Sequence, residues 1–303
     1  MINPHPVLPE FEYIKPENAE DAVRFLKDHP GESRPFLGGT DCLIGVRDKK
    51  FEPKYLVDLK RLDGFDILGF DKAKGLAIGA AVPLNRLVMS PEVQAYYPLI
   101  ASSAREVGGF QLRTRATLVG NLCNASPCGD TIAPCLVYEG SMNIIGPAGK
   151  RLVSLADFFK GSGMTVLEVG EIVQSIHLPL PPAGARGVFL SIGRNALSDL
   201  AIAAVTALGF PDESAASGYR FRIALSAVAP TVIFAEGAQN LLSDQPINEK
   251  VIDGAADLAA QACKPIDDIR ASARYRREMI SILTRRALDE IWTALKDHNR
   301  KAG

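Results

Sequence analysis

Gln111-Leu112-Arg113-Thr114-Arg115-Ala116-Thr117-Leu118-Val119-Gly120-Asn121-Leu122-Cys123-Asn124-Ala125-Ser126-Pro127-Cys128-Gly129-Asp130 is the stretch that most constrains what this chain can be. It concentrates small residues, hydroxyls, amides and one acid, with few bulky side chains. A core strand or helix needs no such composition. A backbone that must approach a phosphorylated ligand closely does, because glycine removes the steric bar and free N–H groups bind oxygens. A second stretch of the same kind lies upstream, Pro35-Phe36-Leu37-Gly38-Gly39-Thr40-Asp41-Cys42-Leu43. Two separated loops of this kind point to one extended diphosphate held from two sides.

Working outward, composition bounds the rest. The chain has 303 residues, 47% of them hydrophobic, and a formal net charge of −1. That length buries a sizeable core and suggests two domains or one large one. Near-neutral charge gives no footprint for nucleic acid. No apolar run approaches the roughly 20 residues of a membrane span. Met1-Ile2-Asn3-Pro4-His5-Pro6 lacks the basic and apolar regions of a signal peptide, so a cytoplasmic location is expected. Cys42, Cys123, Cys128, Cys135 and Cys263 are odd in number and irregularly spaced, against a disulfide framework. Cys123, Cys128 and Cys135 invite a metal reading, but no CxxC pair exists and the histidines His5, His29, His177 and His298 are scattered. Small residues packed near a loop are the favoured reading, and no metal is expected.

Periodicity predicts a helix over 17–29, a strand running into the first glycine loop, and short strands over 55–59 and 75–82. One helix is expected over about 91–106 and another over 131–138. A hairpin turns at Gly146-Pro147-Ala148-Gly149, and a strand covers 171–178. Pro179-Leu180-Pro181-Pro182-Ala183-Gly184-Ala185 is the clearest linker. Beyond it 200–210 and 221–228 read as strands and the remainder as mostly helical. Leu288, Ile291, Trp292 and Leu295 stripe the last helix at helical spacing. Arg270, Arg274, Arg276, Arg277, Arg285 and Arg286 read as a solvated face, with subunit docking or anion binding as the functional alternatives.

Neither glycine loop carries Gly-x-Gly-x-x-Gly, and no P-loop or Gly-x-Ser-x-Gly elbow is present. What remains is binding without an obvious general base. Gly38, Gly39, Thr40 and Asp41 offer N–H groups and a hydroxyl at a helix start; Gly120, Asn121, Asn124 and Ser126 offer similar donors. Ordinary tight turns are the bland alternative. Asp130 reads equally as an acceptor for a sugar hydroxyl or as the N-cap of the 131–138 helix.

At Phe36-Leu37-Gly38-Gly39-Thr40-Asp41 and Thr117-Leu118-Val119-Gly120-Asn121-Leu122…Ala125-Ser126-Pro127…Asp130 the chain closely resembles the FAD-binding medium subunits of the molybdenum hydroxylases. Gln111-Leu112-Arg113, Gly193-Arg194-Asn195-Ala196-Leu197-Ser198-Asp199-Leu200-Ala201, Ile223 to Thr231 and Tyr275 to Leu288 extend the likeness along the whole chain. The resemblance implies an α+β fold: a two-part FAD-binding domain of the vanillyl-alcohol oxidase class over 1–179, split near 60, then a smaller α+β domain over 186–303. It implies noncovalent FAD on Phe36, Leu37, Gly38, Gly39, Thr40, Asp41, Thr117, Val119, Gly120, Asn121, Asn124, Ser126, Asp130, Val173 and Ser191. It implies partners too: an iron–sulfur (2Fe–2S) small subunit and a molybdopterin large subunit, as a dimer of heterotrimers. The chain would relay electrons from the clusters to an external acceptor, with substrate oxidised on the large subunit. A stand-alone flavin oxidoreductase and a flavin-binding scaffold are the competing readings. Three departures stand out: Val119 where many members have glycine, Ser191 where many have lysine, and Asn195 in place of a second arginine.

Overall fold

The computed structural model describes residues 8–195 and 199–302, with side chains through Asp297. Met1 to Pro6 and the Ala196-Leu197-Ser198 part of the arginine-bearing motif lie outside the described residues. The chain opens with a parallel three-stranded sheet in which Tyr55–Asp58 lies between Glu12–Ile14 and Ser33–Phe36. Parallel strands need a crossover, and the helix Ala19–Asp28 supplies one. Asn18 caps it by accepting from the backbone N–H of Asp21 at 2.8 Å, and Ala22, Val23 and Leu26 face the core. Because the strands run parallel, Phe36 and Asp58 end at the same edge of the sheet. The first glycine loop therefore leaves the edge where such sheets place their ligands.

A five-stranded antiparallel sheet follows, in the order Leu68–Asp71, Gly75–Gly79, Ile172–Leu178, Ser141–Gly146, Gly149–Ser154. Short helices pack on it, and Leu84, Leu87, Ile100, Leu118, Leu122, Ile132 and Cys135 join Ile78, Met142, Ile144 and Ile176 in one core. The single helix expected over 91–106 is two, Pro91–Tyr96 and Pro98–Glu106. Proline disfavours helical backbone at the preceding residue, and Tyr97 (φ −130) breaks the run there. Its buried hydroxyl donates to the carbonyl oxygens of Leu178 and Pro179, both at 3.1 Å.

The last part is a four-stranded antiparallel sheet in the order Arg186–Ile192, Ala203–Pro211, Tyr219–Ser226, Ile233–Phe234. Side chains alternate across a strand. Ala203, Val205 and Ala207 pack with Ile223 and Leu225 against the helices Glu249–Ala262 and Ala273–Ala302. The opposite face meets the first part of the chain, where Leu208 and Ala224 join the core that holds Leu99 and Tyr138. Burial on both faces explains why 200–210 reads as a continuous apolar run. On the long helix Leu288, Ile291 and Leu295 are buried, and Trp292 meets Tyr219 edge to face, centroids 5.1 Å apart. Among the described residues no helix is long and apolar enough to cross a membrane.

Candidate functional site

The first glycine segment is shaped by missing side chains. Gly39 sits at φ +76, where a Cβ would also lie 2.7 Å from the Phe36 ring. A Cβ on Gly38 would lie 2.0 Å from the carbonyl oxygen of Arg115, so this loop meets the second segment backbone to backbone. The helix Cys42–Arg47 then begins, with Asp41 at its N-cap making no side-chain cap bond. Leu43 donates to Gly39 and Gly45 to Asp41, while the N–H groups of Gly39, Thr40 and Asp41 meet no acceptor among the described residues. Phe36 is buried at the strand end and Leu37 and Thr40 are half-buried.

The second segment is not the open loop that its composition suggests. It forms the short helices Phe110–Arg113 and Leu118–Asn124. Arg113 donates to the carbonyls of Arg105, Val107 and Gly108 and so fastens the turn ahead of them. Thr117, extended at φ −115, caps the second helix, and Gly120 donates its N–H to Thr117 Oγ1 at 3.0 Å. Gly120 thus lies in the first helical turn, and beyond Thr117 Oγ1 at 2.8 Å a Cβ there would meet open space. Leu118 and Val119 point into the core; an antiparallel bridge between Thr117 and Pro83 pairs the Leu118 N–H with the Val82 carbonyl, while the Val119 N–H in the first turn meets no acceptor among the described residues. The helix stops at Ala125 in left-handed conformation, φ 49. Asn121 Oδ1 accepts from Thr131 Oγ1 at 2.7 Å, which leaves its amide NH2 free to donate elsewhere. Ser126 Oγ accepts from the N–H of Cys128 at 3.3 Å, and Asn124 is exposed.

Asp130 does not cap the following helix. That position falls to Thr131, and Ile132–Val137 starts without a side-chain cap. The Asp130 carboxyl instead lines a cleft of about 260 Å³ with Glu106, Ser191, Gly193, Arg194, Asp199 and Ala201. Burial and then the charge of Glu106 push its pKa up to about 7. Asp199 is held down to about 2 by the Arg194 guanidinium at 3.2 Å and the Arg194 N–H. Asp130 and Ser191, 61 residues apart by number, thus share one cleft at the seam between the second segment and the C-terminal sheet. Val173 is not in its walls; it is buried in the strand Ile172–Leu178 beside a register shift between Val173 and Ser175. The cleft residue Glu106 carried no signal of its own in the sequence.

The arginine run is not uniformly solvated. Arg276 is 3% exposed and is engaged with backbone carbonyls, whereas Arg274 lies open. All five cysteines are free thiols. Burial pushes Cys123 up to about 12 and raises Cys128 and Cys135 as well. No group of three or more metal-ligating side chains is found among the described residues.

Comparison with known proteins gives this geometry a context. A family model described as the FAD binding domain in molybdopterin dehydrogenase matches residues 9–181, and one described as the CO dehydrogenase flavoprotein C-terminal domain matches residues 190–291. The chain belongs to the FAD-binding subunits of the molybdenum hydroxylases. It is 30% identical to the carbon monoxide dehydrogenase medium chain of Hydrogenophaga pseudoflava, over 94% of this chain and 98% of that one. It is 28% identical to a putative xanthine dehydrogenase FAD-binding subunit of Escherichia coli, over 92% of this chain and 94% of that one. The solved carbon monoxide dehydrogenase of Hydrogenophaga pseudoflava that lacks the Mo-pyranopterin moiety matches with a TM-score of 0.90 at 30% identity, covering 95% of this chain and 99% of that one. As a member of this family the chain is the flavoprotein subunit of an oxidoreductase. Its own residues fit FAD. Among the described residues the N–H groups of Gly39, Thr40, Asp41 and Val119 lack acceptors at two helix starts that Gly38 brings into backbone contact, and the space off Gly120 is open.

Proposed function

We propose that this chain holds one noncovalent FAD and relays electrons from the iron–sulfur clusters of a small subunit to an external acceptor. The clusters would be fed by a molybdopterin site on a large subunit, the whole assembling as a dimer of heterotrimers. The observation that carries this reading is the backbone contact between Gly38 and Arg115, which brings the segment with the free N–H groups of Gly39, Thr40 and Asp41 against the one that offers the Val119 N–H and the Asn121 side-chain amide. In this reading Gly39, Thr40 and Asp41 bind the diphosphate from one side, and the first turn over Thr117 to Asn121 binds it from the other. Phe36 and Leu37 wall the first loop. Asn124 and Ser126 border the second, and Asp130, Val173 and Ser191 belong to the flavin end. FAD supplies the redox chemistry; the chain binds, orients and electrostatically tunes it. The division of labour follows 1–179, with a split near 60, for cofactor binding and 186–303 for the C-terminal domain.

No His or Cys stands in an attachment motif, so acid precipitation is expected to release a yellow chromophore into solution. Flavin retained in the pellet contradicts noncovalent binding. The relay itself is tested by expressing the chain alone and with iron–sulfur and molybdopterin partner chains, then assaying dye reduction and complex mass. Turnover only in the complex is expected. Substrate turnover by the isolated chain at the rate of the complex defeats the relay and favours a stand-alone oxidoreductase.

A further inference from the structure

Arg276 stands in the first turns of the long helix, nearly sealed from solvent at 3% exposure. Its Nη1 donates to the carbonyl oxygens of Ile202 at 2.6 Å and Ala227 at 2.9 Å, and its Nη2 donates to Asp268 Oδ2 at 2.8 Å. Its Nε has no partner among the described residues. Burying a guanidinium this deeply is costly, and an apolar residue of similar volume commonly stabilises as well or better. Stability alone is therefore a weak reason for it.

The two carbonyls say more. Ile202 follows Ala201, a wall of the cleft that holds Asp130 and Ser191. Ala227 lies at φ 64, the left-handed region that disfavours a residue with a Cβ, so neighbours must hold it there. Its carbonyl is held by Arg276, and its N–H donates to the carbonyl of Pro127 at 2.7 Å. Pro127 belongs to the second segment, three residues before Asp130, and Cys128 packs beside Ala201, Ala204 and Ala227. One planar fork thus fastens the cleft wall directly and the cofactor segment through Ala227.

We propose that Arg276 is a positioning residue for the flavin end of the site, setting where Asp130 and the Ser191 wall stand against bound FAD. This rests on the FAD reading above. The test uses the full chain with Arg276→Lys, Arg276→Met and the exposed control Arg274→Met. FAD affinity is read by fluorescence titration, the bound flavin's midpoint potential by dye equilibration, and folding by thermal midpoint. Lysine keeps the charge and loses the fork. Arg276→Lys is expected to bind FAD about tenfold more weakly, the scale of one charged hydrogen bond, and to shift the midpoint potential. Arg276→Met is expected to be weaker still, and Arg274→Met to match wild type. Should Arg276→Met fail to fold, Arg276→Lys decides. An Arg276→Lys chain with wild-type affinity and potential, changed only in thermal midpoint, overturns the proposal. A wild-type chain that takes up no FAD overturns the FAD reading and this proposal with it.

Discussion

The two glycine-bearing segments resemble each other in composition and are built in opposite ways. Around Gly38 and Gly39 the backbone shape depends on absent side chains: a left-handed φ, a ring pressed against one glycine and a carbonyl pressed against the other. Around Gly120 the shape depends on hydrogen bonds that are present. Thr117 caps the turn, Thr131 fixes Asn121, and Pro127 is pinned to Ala227 across the seam. The lesson is that similar composition hides different failure modes. The first segment breaks when an atom is added at either glycine; the second breaks that way only at Gly120 and elsewhere loosens by one hydrogen bond at a time.

Gly39→Val carries the largest expected effect. It forces a β-branched residue to φ +76 and into the Phe36 ring, so FAD retention after gel filtration is expected to be lost. Gly120→Val comes next. Its Cβ would lie 2.8 Å from Thr117 Oγ1, which unseats the cap and fills the open approach. It too should emerge without flavin; full occupancy in both variants contradicts the assignment of the segments. Thr117→Ala removes the cap bond and one buried methyl group. It is expected to cost about 1 kcal/mol in urea denaturation, with FAD weakened but retained. A flavin-free Thr117→Ala protein would blur the contrast between the segments.

Asp130→Asn probes the seam by pH. The folded pKa of about 7 lies above the ordinary carboxylate value of about 3.9, so the folded chain binds this proton more tightly. The stability it contributes is present at low pH, declines as pH rises above about 4, and is gone once pH passes about 7. The FAD-free chain is therefore expected to lose stability from this group between pH 5 and pH 8. Denaturation midpoints at those two pH values should converge in Asp130→Asn. An unchanged pH slope in the variant contradicts the burial of this carboxyl beside Glu106.

Elements with local causes were legible in the sequence. The apolar face of 17–29 became the helix Ala19–Asp28, and the Gly146-Pro147-Ala148-Gly149 turn joins Ser141–Gly146 to Gly149–Ser154. The stripe Leu288, Ile291, Leu295 points inward as its spacing requires. The helix Leu118–Asn124 was harder to read, because Val119-Gly120-Asn121 has loop composition while Thr117 and three buried apolar residues outweigh it. The break at Tyr97 was written in Pro98 and lay inside an otherwise helical run. Arg276 offered no local clue. Its partners lie 74, 49 and 8 residues away by number, and only the folded seam brings them together. The same holds for Asp130 and Ser191, joined by a cleft that no spacing rule connects.

Amide hydrogen exchange on the FAD-free chain, with and without added FAD, tests the central claim most directly. FAD is expected to slow exchange at Gly39, Thr40, Asp41 and Val119, whose N–H groups otherwise meet no acceptor among the described residues. The controls are Ala224 and Leu225 in the strand Tyr219–Ser226, which pair with neighbouring strands on both sides and where little change is expected. FAD that binds stoichiometrically while those four amides exchange as fast as before would contradict the two-segment cradle.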